Sequence, residues 1–67
     1  MAHKKEEVEK HIKSLQDNAL KHVGKPGMNP YIWLRDNLDV HIEAYKNDPS
    51  DVNAQQILAI KPVDPKV

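Results

Sequence analysis

Cysteine is missing from this chain, and with it any disulfide framework, any thiolate nucleophile and any classical zinc finger. An excess of either charge is missing too. Ten Lys and Arg balance ten Asp and Glu, which is not the footprint of a general nucleic-acid binder. No apolar run is long enough to span a bilayer. The opening Met1-Ala2-His3-Lys4-Lys5-Glu6-Glu7 leads straight into an amphipathic pattern without an apolar signal core. A soluble, cytoplasmic protein with no membrane partner is expected. Repeats, low-complexity segments and paired β-rich runs are also lacking, so strands are not expected. With 67 residues the chain has room for one domain and a small core. Such a chain hides only ~60% of its unfolded surface and often leans on a partner.

What is present is helical spacing. From Lys4 to Val23, the residues Val8, Ile12, Leu15, Ala19 and Val23 form a narrow seam of the kind that bundle helices bury. Leu20 lies off this seam. Glu9 and Lys13 are spaced for an i,i+4 ion pair. Gly24 fits a helix-ending glycine, and Pro26 prevents continuation.

The stretch from Asn29 to Tyr45 holds the only Trp and both Tyr residues. Asn29 is a good N-cap, and Pro30 suits the first helical position. Tyr31, Leu34, Leu38, Ile42 and Tyr45 fall on one stripe, and Trp33, Val40 and Ala44 on a second, with Asn37 and His41 between. A helix apolar on two sides must be covered twice. The first helix can cover the Tyr31–Tyr45 stripe. A symmetric turn about residues 24–28 sets Val23 against Leu34, Ala19 against Leu38, Leu15 against Ile42 and Ile12 against Tyr45. Asp48-Pro49-Ser50-Asp51 repeats the start signal for a short third helix that stops before Pro62. Helices over 4–23, 30–46 and 49–60 are thus expected in a single domain, 1–61, with a flexible tail, 62–67. The expected fold class is all-α: an antiparallel helical hairpin plus a short third helix, with the second stripe covered either in part by that helix in a monomer or, as the favoured reading, by a second copy in a homodimeric bundle.

Few residues point to chemistry. His3, Glu7 and His11 share a helical face but lack the acidic clustering of a metal site, and are expected as exposed polar residues. His41, between the two stripes, is expected at a helix or subunit boundary. Trp33, Val40, Ala44 and His41 form the expected interface. Lys25, Gly27, Asn29 and His22 surround a loop leading into a helix start, where an anion could sit; the loop matches no phosphate-binding fingerprint. Asp36, Asp39 and Glu43 form an acidic ridge, expected as a solvated face or a docking ridge. Catalysis is not expected, nor is a metal or cofactor.

The function these features imply is a small non-enzymatic protein–protein interaction module, a regulator, inhibitor or adaptor. Its partners would be a second copy of the chain and another protein. The alternative is a binder of a phosphorylated small molecule or nucleic acid at loop 24–29 and the start of the second helix.

Overall fold

The structure, a computed structural model, describes residues 3–62. The expected tail therefore lies, from residue 63 onward, outside the described residues. The chain is all-α, with no strand among the described residues. Helix α1 spans Lys5–Leu20, α2 Pro30–Leu34, α3 Val40–Asn47 and α4 Asp51–Leu58. A π-helical turn over Arg35–Asp39 joins α2 to α3, so the two form one long second helix. The molecule measures 39 × 17 × 14 Å, an elongated rod.

Each helix end has a local cause. After Leu20 the backbone tightens to i→i−3 bonds, His22 N–H to Ala19 and Val23 N–H to Leu20. The first helix thus stops short of the expected Val23. The turn resolves at Gly24, with φ +87°. Gly27 shares that φ, a conformation glycine adopts without a Cβ penalty. Asn29 caps α2 as expected, its Oδ1 accepting the N–H groups of Tyr31 (3.0 Å) and Ile32 (3.3 Å). The last helix begins two residues later than expected. Ser50, not Asp48, is its cap and accepts Asn53 N–H at 3.3 Å, while Asp48 stays extended. It also ends sooner, because Ile60 N–H turns back to Ile57.

Helix α4 packs on both α1 and α3, and α1 also packs on α2. Val8, Tyr45, Ala54 and Ile57 form a buried cluster flanked by Ile12 and Leu58. Val8 stands about 18 Å from the end of α1 at 1.5 Å per residue, so this three-helix core lies at the end of the rod away from the 21–29 turn. Leu15, Ala19 and Leu38 are buried nearer the turn. Each full burial of a Leu, Ile or Val contributes about 1.5–3 kcal/mol. Val23, placed inward in the expected pairing, is exposed.

The wide turn changes which residues face inward. A π turn holds nearly one residue more than an α turn. Leu38 and Tyr45, within and after it, keep the expected inward face. Before it the inward position moves back by one, so Pro30 is buried and Tyr31 is 63% exposed. Tyr31 therefore leaves the expected stripe. At this point the Asn37 carboxamide donates to the Trp33 carbonyl at 3.1 Å, four residues back. That bond competes with the regular ladder and favours the widening.

Candidate functional site

Of the expected interface residues, Val40 and Ala44 are exposed, and Trp33 and His41 are half-buried. The wide turn lies between Trp33 and Val40 and rotates one against the other, so the three-residue stripe is split. Of that stripe, Val40 and Ala44 on α3 stay uncovered by the described residues.

Of the expected loop residues, Lys25 and Asn29 line one shallow hollow with Val23, Gly24, Met28, Pro30 and Tyr31, and Gly27 and His22 are not in its lining. Two amides that could have faced an anion there, those of Tyr31 and Ile32, are taken by the Asn29 side chain. His22 is half-buried, with its Nδ1 buried and unbonded. The acidic residues Asp36, Asp39 and Glu43 are all exposed. Arg35 pairs with Asp36 at 3.1 Å, while Asp39 and Glu43 share a hollow with Gln16, Ile42 and Lys46. The ridge is thus partly matched by neighbouring cations. Glu9 reaches back to Lys5 at 3.8 Å and not forward to Lys13 as expected. Both side chains are exposed, so the pair contributes little.

The histidines of the first segment depart most from expectation. His3 precedes α1, and instead of lying open it reaches the far end of the chain. Its backbone N–H donates to Asp51 Oδ1 at 3.0 Å, and its ring Nδ1 meets the same oxygen. A carboxylate only accepts, so Nδ1 carries the hydrogen. Nε2 then lies 2.7 Å from the hydroxyl of Tyr45. The His3 contacts hold the Asp51 carboxyl below the usual aspartate range. His11 is half-buried as well and donates from Nε2 to the Ile60 carbonyl at 3.0 Å. The two imidazoles therefore grip α4 at its start and just past its end. No group of three or more potential metal ligands occurs among the described residues.

Carboxylate, imidazole and hydroxyl stand in the order of a proton relay, but Tyr45 is only 7% exposed. Its hydroxyl meets the His3 ring, and the three groups together latch the segment before α1 to α3 and α4. Asn53 secures the same corner by donating to the carbonyls of Ala44 (3.3 Å) and Asp48 (2.7 Å). Sequence spacing could not reveal these contacts, because His3 and Asp51 are 48 positions apart. The only local hint was Ser50 three residues before Asn53, a serviceable cap. No family model, curated protein or solved structure matches this chain.

Proposed function

We propose that this chain is a small non-enzymatic protein–protein interaction module that self-associates through the outer side of its second helix. The arrangement behind that reading is the antiparallel hairpin with its third helix folded against one end. The observation that carries it is the 55% exposure of Val40 beside exposed Ala44. Helix α4 packs on the Val8–Tyr45 side, and no further helix among the described residues lies over Val40. A second copy related by a two-fold axis would bury Val40, Ala44 and the free edges of Trp33 and His41 at once. The alternative, an anion bound at 24–29, is less favoured because Asn29 already occupies the amides of Tyr31 and Ile32.

Sedimentation analysis of the wild type and Val40→Asp over micromolar to millimolar concentration tests the reading. The wild type is expected to sediment as a dimer and the variant as a monomer of unchanged helicity. A wild type that stays monomeric throughout, or a variant that sediments like it, rejects the proposal.

A further inference from the structure

The charge and the exposed apolar surface of this rod are distributed unevenly, and they coincide at one end. None of the ten acidic residues lies between Asn18 and Arg35, whereas Lys21, Lys25 and Arg35 do. That stretch is the turn and the helix ends it joins. It also carries Leu20, Val23, Tyr31 and Ile32, four of the six large apolar side chains exposed among the described residues. Val23, Lys25, Met28 and Tyr31 line one hollow at this tip. Arg35 is paired with Asp36, so Lys21 and Lys25 supply the charge available to a partner. The opposite end holds α4 and the buried cluster, and Val52 is the one large apolar side chain exposed on α4 among the described residues.

We propose that the 20–32 tip docks on an anionic lipid bilayer surface. Lysines there would meet headgroup phosphates and carboxylates, and the apolar side chains would enter the boundary just beneath. A lipid interface accepts both kinds of group together, each basic residue adding attraction to anionic headgroups and each buried apolar group adding to it. Nucleic acid is a poorer fit. Tight phosphate binding takes more cations than this tip has, and exposed Leu, Val and Ile gain nothing from a phosphate backbone. The docking is peripheral: no helix among the described residues is long and apolar enough to cross a membrane. It uses a different surface from Val40 and does not depend on self-association.

Co-sedimentation with vesicles of phosphatidylcholine alone, and with equimolar phosphatidylserine added, tests the proposal directly. Trp33, half-buried at the start of the second helix, is the only Trp and reports independently through its emission. Binding to the anionic vesicles only, a blue shift of Trp33 and weakening by added salt are expected. Lys21→Glu with Lys25→Glu should lower partitioning about tenfold or more. Val23→Asp with Ile32→Asp should do the same by removing the apolar part. Val52→Asp, at an exposed site on α4, should bind like the wild type. All these positions are exposed, so circular dichroism should show the helices intact in every variant. The proposal is overturned if the wild type ignores anionic vesicles at low salt, or if Val52→Asp loses as much binding as the tip variants. It is also overturned if a single-stranded oligonucleotide is bound where vesicles are not, which would make the partner nucleic acid.

Discussion

The imidazole of His3 and the phenol of Tyr45 meet edge-on, ring centroids 5.4 Å apart at 69°, with Nε2 at 2.7 Å from the hydroxyl. The contact closes the segment before the first helix onto the end of the second. His3→Ala would leave the Tyr45 hydroxyl without this partner and remove the ring contact to Asp51, while the backbone N–H of residue 3 would remain. The loss of the Tyr45 hydrogen bond should cost about 1–3 kcal/mol. Urea unfolding measures the total. Hydrogen exchange should place the earliest loss of protection in α4, and uniform loss across all helices would show that the latch has no local role.

The carboxyl of Asp51 should titrate below the usual aspartate range, because the His3 ring and amide both hold its ionised form. A carboxyl depressed in the native state stabilises it fully above the ordinary value of about 3.9. That contribution is lost as pH falls through the lower native value. Carbon NMR of the Asp51 side chain across the acid range checks the direction. In His3→Ala the titration should move back up, and an unchanged midpoint would mean that His3 does not set it.

Leu38 has no solvent exposure and lies inside the π turn. Leu38→Ala should cost on the order of 2–5 kcal/mol, a large part of the stability available to so small a domain. A thermal melt overlapping that of the wild type would place Leu38 outside the working core.

Gly24 takes a left-handed φ of +87°, and a Cβ added there would meet nothing within 4 Å. Gly24→Ala should therefore be costly through backbone strain alone, about 1–2 kcal/mol. Gly24→Asn should cost less, since Asn tolerates this region. Equal melting temperatures for the two variants would show that the turn relaxes out of this conformation.

Much of the helical layout could be read from spacing and punctuation. Asn29-Pro30 started a helix where expected, and Leu15, Ala19, Leu38 and Tyr45 were rightly placed inside. The errors have specific physical sources. Val23 belonged to the periodic pattern, but the approach to Gly24 is wound too tightly to keep it there. Pro49 resembled the first residue of a helix, yet the Ser50 hydroxyl captured Asn53 N–H and moved the start to Asp51. Tyr31 was misplaced because a constant period cannot register one wide turn. The latch was illegible for another reason: hydrogen bonds between His3 and Asp51, or His11 and Ile60, follow from packing and leave no trace in local spacing.

The surplus residue in the wide turn has an implication for how such a protein could change. Arg35–Asp39 behaves like a collar between the tip and the body of the rod. Taking one residue out of it would restore ordinary winding and put Pro30 on the regular inward step, so α2 would keep its present face towards α1. A single-codon deletion there would thus be absorbed without re-aiming either end of the molecule, whereas the same deletion in the regular turns of α1 would rotate everything before it by about 100°.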